Sequence, residues 1–123
     1  MTVYYDGALG DPVPIEKAFA EGCDRVILIL TKPITRPREP GRDPFLARLI
    51  EHQYPRSAEN LRNRADNYNR AVEQAKEYQA QGRVLIISPD DTEGVSTLTK
   101  NRDALDRLYQ KGYRDGMAIL DWL

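Results

Sequence analysis

One cysteine, one histidine and one tryptophan stand in 123 residues, and each scarcity removes a class of protein. With Cys23 alone, no internal disulfide and no cysteine-based metal cage can form. A lone thiol fits a reducing compartment or a small buried residue, and a cytoplasmic location is the expectation. His52, within "LARLIEHQYP", is the only histidine a Ser-His-Asp triad could use, and no serine stands beside it in a nucleophile elbow. A surface or packing role is expected for it. Long apolar runs are missing too: Val26 to Leu30 is far too short to span a bilayer. The opening "MTVYYDG" lacks the basic start and apolar middle of a secretory signal. Charge of one sign is also missing. The 18 basic and 19 acidic residues nearly cancel, a poor footprint for nucleic acid, so none is expected as a partner. Neither G-x-G-x-x-G nor G-x-x-x-x-G-K-S/T occurs, which argues against a nucleotide-binding module. No repeat of solenoid period is found. The length fits one compact domain, 1–123.

What is present reads as alternating strand and helix. Thr2 to Tyr5 is rich in β-branched and aromatic side chains and predicts a short strand stopped by Asp6-Gly7. Pro12 and Pro14 make a rigid turn into a helix over Ile15 to Ala20, with Gly22 as its stop. "RVILILT" at Arg25 to Thr31 and "RVLIISP" at Arg83 to Pro89 are continuously apolar at their centres. They predict parallel strands buried on both faces. Between them, apolar residues at Leu61, Ala65, Tyr68, Val72 and Ala75 predict a helix over Ser57 to Ala80, with Ser57 as N-cap and Gly82 as stop. "TKPITRPREPGRD", with Pro33, Pro37 and Pro40, cannot be helix or central strand. Asn101 to Leu123 predicts helix with an apolar face at Leu105, Leu108 and Tyr109, broken by Gly112 and Gly116. The order is β-α-β-(α)α-β-α-α. It implies an α/β fold, with a sheet part over 1–95 and terminal helices over 96–123. Three strands are few for a layered parallel sheet, so the fold is expected to be partial.

In open parallel sheets, ligands bind beyond the carboxyl ends of the strands. Asp6-Gly7-Ala8, Thr31 to Asp43 and Ser88 to Gly94 leave those ends. Asp6 is the strongest chemical candidate among them: a carboxylate there can act as base, metal ligand or cap, although Asp-Gly is also a common turn. "GVSTL" at Gly94 to Leu98 departs from G-x-S-x-G at its last position and has no strand running into it, so Ser96 is rejected as nucleophile. Asp90-Asp91 and Asp11 lack ligand spacing for a metal, and none is expected. No cofactor is expected either. Lys32, Arg36, Arg38 and Arg42 could meet phosphate or a lipid surface, including peripheral contact with a membrane; a solvated loop is the plainer reading.

The ordered series Asp6-Gly7-Ala8, Pro12-Val13-Pro14-Ile15 and Val26 to Pro33 resembles the second half of bacterial patatin-like phospholipases. "YP" at Tyr54-Pro55, "NRADNYN" at Asn63 to Asn69, "VLIISP" at Val84 to Pro89 and "LDRLYQKGYRD" at Leu105 to Asp115 extend the resemblance over nearly the whole chain. The resemblance implies a three-layer α/β/α fold and a Ser-Asp dyad that cleaves acyl esters of lipids. Asp6 would be the dyad aspartate, and Gly7 and Ala8 would shape its turn. The family's G-x-S-x-G serine and glycine-rich oxyanion loop do not occur in this chain, so both would precede residue 1. The resemblance therefore implies a truncated patatin-like fold, the C-terminal part of a serine esterase, inactive by itself. A second reading is a non-catalytic interaction or dimerisation domain built on "RLYQKGYRDGMAILDWL". Exposure of Tyr109, Tyr113 and Trp122 would favour it; packing of these rings on the sheet is the expected alternative.

Overall fold

The computed structural model describes residues 4 and 6–123; apart from Tyr4, the strand expected at Thr2 to Tyr5 lies outside the described residues. A 3-10 turn at Gly7–Leu9 leads into α1 (Ile15–Ala20) and β1 (Val26–Ile29). Then come α2 (Asp43–Ile50), α3 (Pro55–Ala80), β2 (Val84–Ile87), α4 (Arg102–Gly116) and α5 (Ala118–Trp122). β1 and β2 pair in parallel, in register from Val26 opposite Val84 to Ile29 opposite Ile87. Among the described residues this is a short two-stranded sheet in a mixed helix-and-strand, broadly α/β protein.

Both strands are entered through the same device. α1 ends at Gly22 with φ +96 and α3 at Gly82 with φ +74. At the first, Cys23 N–H donates to Ala18 O and Gly22 N–H to Phe19 O; at the second, Arg83 N–H donates to Tyr78 O and Gly82 N–H to Gln79 O. This paired pattern closes the last carbonyls of a helix around a left-handed residue, which glycine adopts without a Cβ penalty. The chain is thereby turned straight into the strand that follows.

Side chains alternate across a strand, and one face of this sheet carries the core. Leu30, just past β1, and Val84 on β2 are buried with Val72 and Ala75 of α3 and with Val13 and Ile15 at the start of α1. Val26, Leu28, Ile86, Tyr68 and Tyr78 pack against this cluster. Phe19 and Tyr78 meet with ring centroids 4.8 Å apart, and the Arg83 guanidinium lies 4.2 Å from the Phe19 ring centre. Glu16 on α1 accepts hydrogen bonds from Tyr78 Oη (2.6 Å) and Gln74 Nε2 (2.7 Å), tying α1 to α3 at the surface. Gln79 Oε1 accepts from Ile86 N–H at 2.9 Å, occupying a backbone donor of β2 that points away from β1.

The other face differs from the sequence expectation. Ile87 is buried, but Ile29 is 66% exposed. A groove lined by Ile29, Ile87, Leu108, Gly112 and Ile119 lies between this face and the last two helices, and Ile29 stays exposed beside it, so burial of β1 on both faces does not hold. Three smaller expectations also change. α3 begins at Pro55, not at a Ser57 cap: proline at the first helical position has its φ preset and no N–H left to satisfy. α4 runs through Gly112 and stops at Gly116, since one glycine costs a helix about 1 kcal/mol without breaking it. Cys23 is exposed rather than a small core residue.

Asn101 caps α4 by accepting from Ala104 N–H at 3.1 Å. α5 is anchored at the entrance to β1, where the Arg25 guanidinium lies 3.7 Å from the Trp122 ring centre and donates to the Trp122 carbonyl. Among the described residues no helix is long and apolar enough to cross a membrane.

Candidate functional site

Asp6 stands in extended conformation directly before the 3-10 turn. Its Oδ1 accepts from Ala8 N–H at 2.9 Å, and its own carbonyl accepts from Leu9 N–H at 3.1 Å. A short acidic side chain capping the backbone two residues on is what Asp does well in a tight turn. The carboxylate is thus oriented by Ala8, and among the described residues only Oδ1 is engaged. Gly7 has no positive φ, and a Cβ on it would meet nothing within 4 Å, so the turn itself does not demand glycine there.

Asp6, Ala8 and Leu9 form one wall of a cleft of about 600 Å³. α2 supplies Leu46, Leu49 and Ile50; the connection to α3 supplies Tyr54; and the first turns of α3 supply Ser57, Leu61 and Arg64. A concave apolar surface with a few convergent polar groups is the usual character of a small-molecule site. Leu46, Leu49 and Tyr54 are all substantially exposed, so the cleft keeps apolar side chains facing solvent.

Arg64, in the wall of the cleft, belongs to an ion pair that the sequence does not announce. Asp43, the first residue of α2, is 4% exposed. It receives Arg64 through both oxygens: Nε donates to Oδ2 at 2.9 Å and Nη2 to Oδ1 at 2.5 Å. A planar guanidinium gripping both carboxylate oxygens fixes angle as well as distance, so α2 is set against α3 where both line the cleft. Five residues along α3, Asn69 performs a second clamp. Its Oδ1 accepts from Arg38 N–H at 2.7 Å and its Nδ2 donates to Arg38 O at 3.0 Å. Two residues of "NRADNYN" thus have structural work: one holds a helix, the other a loop.

The remaining candidates lie elsewhere. His52 is exposed and does not line the cleft. Ser96 is exposed in a turn closed by Thr99, whose Oγ1 accepts from Ser96 N–H at 2.7 Å; no strand runs into it. Ser88 lies in the groove beside Ile87. Asp90 is occupied by Lys111 Nζ, which also meets Glu93 at 3.2 Å, while Arg107 meets Glu93 at 3.3 Å. The Lys111 hydrogen bond holds the Asp90 carboxyl below its usual range, and the Asp90 hydrogen bond raises the Lys111 ammonium. Of the aromatic residues singled out near the C-terminus, Tyr109 and Tyr113 are 65% and 60% exposed. Packing of these two on the sheet is therefore not what the fold does.

The sequence singles out Asp6 as a candidate but not its surroundings. In the sequence, α2 is legible only as an unplaced helix before α3. A signal was available in Asp43-Pro44, an acidic residue and a proline at the start of "FLARLI", which is how helices commonly begin.

Residues 54–123 match the family model described as Domain of unknown function (DUF6363), and the chain belongs to that family. The match begins at the residue before α3 and takes in β2, α4 and α5. No curated protein and no solved structure matches the chain.

Proposed function

We propose that this member of the DUF6363 family is the C-terminal part of a patatin-like serine esterase, with Asp6 as the base of a Ser-Asp dyad acting on acyl esters of lipids. The observation that carries the reading is the placing of Asp6. Its carboxylate is oriented by Ala8 N–H in the wall of an apolar cleft, with Oδ2 unengaged among the described residues. In the proposed reaction, a serine supplied by polypeptide preceding residue 1 attacks the ester carbonyl while Asp6 Oδ2 takes its proton. The proton leaves with the alcohol, and water then releases the acid from the acyl-serine. The apolar walls from Leu46, Leu49 and Ile50 suit an acyl chain. The finer three-layer α/β/α architecture belongs to this proposal.

The test has two parts. Residues 1–123 alone should not react with a fluorophosphonate probe; robust labelling of Ser57, Ser88 or Ser96 would overturn the assignment. Joined to an upstream segment carrying G-x-S-x-G, the chain should hydrolyse short-chain esters. Asp6→Asn should then lower kcat by about 10²–10⁴-fold, the scale of a lost general base, with the fold unchanged.

A second reading is favoured by the exposed stripe on α4 and its continuation. Leu105, Tyr109, Tyr113, Met117 and Leu120 are all well exposed and recur at near-helical spacing. Apolar and aromatic residues gathered in this way suit the face of a dimer with a second copy of the chain. Sedimentation over a wide concentration range tests it. Self-association that Tyr109→Ser and Tyr113→Ser abolish would support it, and a strict monomer would remove it.

A further inference from the structure

The proline-rich loop after β1 gathers basic side chains that the reading above does not use. β1 delivers the chain to Thr31, at the strand's carboxyl end, where parallel sheets place their ligands. From there a cleft of about 460 Å³ is lined by Thr31, Lys32, Arg36, Arg38, Glu39 and Tyr68, with Pro37 between the two arginines. It is a different surface from the Asp6 cleft and shares no lining residue with it.

Three features make this more than a solvated loop. The first is charge. Every exposed ion pair of the described residues lies elsewhere: Lys32, Arg36 and Arg38 have no carboxylate within 4 Å, and Glu39 is the one acidic residue in the lining. Three cations held in one cleft repel one another, and an anion between them removes that repulsion. The second is rigidity. Pro33 is buried, Arg36 N–H donates to Pro33 O at 3.0 Å, and Pro37 and Pro40 fix further φ angles. Asn69 grips the Arg38 backbone through both its N–H and its carbonyl. The arginines therefore spring from a backbone held at both positions by these contacts, which lowers the ordering cost of binding. The third is the neighbouring donor set. The Thr31 and Tyr68 residues line the same cleft, Tyr68 partly buried beside Arg38, and their hydroxyls are donors at neutral pH.

We infer that this cleft is a binding site for a phosphate group, taken as a phosphate ester, with Arg36 and Arg38 as its principal ligands and Lys32, Thr31 and Tyr68 completing it. Guanidinium groups match phosphate oxygens in geometry and charge, and hydroxyl donors serve the oxygens they leave. The inference does not depend on the role proposed for Asp6.

The test uses the intact chain. Inorganic phosphate is titrated into isotopically labelled protein, with chloride at equal ionic strength as the control. The expected result is saturable amide shifts at Thr31, Lys32, Arg36, Arg38 and Tyr68 with phosphate and not with chloride. Arg36→Gln combined with Arg38→Gln should weaken binding at least about tenfold, the loss of one charge-assisted contact or more. Both side chains lie outside the core, and should that variant not fold, Lys32→Gln and the wild-type shift map decide the question. Two further probes separate the sources. Glycerol 3-phosphate that binds while phosphatidic acid vesicles do not would identify a soluble ester. Vesicle binding that inorganic phosphate displaces would identify a lipid headgroup. Shifts equal in phosphate and chloride, shifts confined to other surfaces, or unchanged binding in the double variant would each overturn the site.

Discussion

Replacing Arg64 by leucine should destabilise the protein more than its partial exposure suggests. The side chain of Asp43 is 6% exposed and that of Arg64 29% exposed, and both hydrogen bonds between them are lost together in Arg64→Leu. What is left is a buried carboxylate without its counter-charge. Breaking a buried pair from one side typically costs ~3–5 kcal/mol. Because water reaches the arginine end, the lower limit applies, and we expect about 3 kcal/mol. For a chain of this length that is roughly a 10 °C fall in Tm. Urea unfolding, followed by circular dichroism, measures it directly. The companion Asp43→Ala strands an arginine that can turn toward solvent, and should cost less. The double variant has no charge left to strand and should recover part of the loss, with a coupling energy of about 2 kcal/mol. An Arg64→Leu cost below about 0.5 kcal/mol, or a coupling near zero, would refute the reasoning, since it would mean that the carboxylate of Asp43 is solvated in the folded protein.

Three further outcomes are expected. Val84→Ala should cost about 2 kcal/mol in urea unfolding, because Val84, which opens β2 on the sheet's packed face, is 1% exposed and two methyl groups are lost there. Gly82→Ala should lower stability by about 1 kcal/mol through its left-handed φ alone, since a Cβ there would meet nothing. The Lys111–Asp90 contact should give a pH dependence with two ends. Asp90 is lowered by the hydrogen bond from Lys111, so its contribution is present above the ordinary carboxylate range and fades as pH falls through the depressed value. Lys111 is raised by Asp90, so its contribution is full below the ordinary lysine range and fades as pH rises through the raised value. Urea midpoints against pH for the wild type and Asp90→Asn should diverge least at the acid extreme, where Asp90 is protonated in both states; curves that differ equally at every pH would dismiss the contact.

Much of the architecture was legible because it rests on local rules. The apolar cores of "RVILILT" and "RVLIISP" gave both strands, and Gly22 and Gly82 marked both helix ends, because left-handed closure is a one-residue requirement. The apolar spacing from Leu61 to Ala75 described α3 over most of its length. The failures were of another kind. A continuous apolar run cannot say how much of a strand's second face another element covers, and Ile29 is exposed for want of such a cover. Asp6 stands out in the sequence as an isolated candidate, whereas the cleft beside it depends on how α2 lies against α3. That geometry is fixed by Asp43 and Arg64, far apart in sequence, and pairing across such a distance leaves no periodic trace. The clamp of Asn69 on Arg38 escaped for the same reason.

The bond from Ile86 N–H to Gln79 gives the sheet a direction of growth. An unpaired strand edge is a template, and proteins that leave one open risk pairing with the wrong chain. Here one outward donor of β2 is occupied by a glutamine whose amide imitates the carbonyl of an absent neighbour, and that glutamine stands on the same helix that covers the core face. Among the described residues no strand pairs with the outer margin of β1, and a further strand, whether from this polypeptide or another, has its way in there.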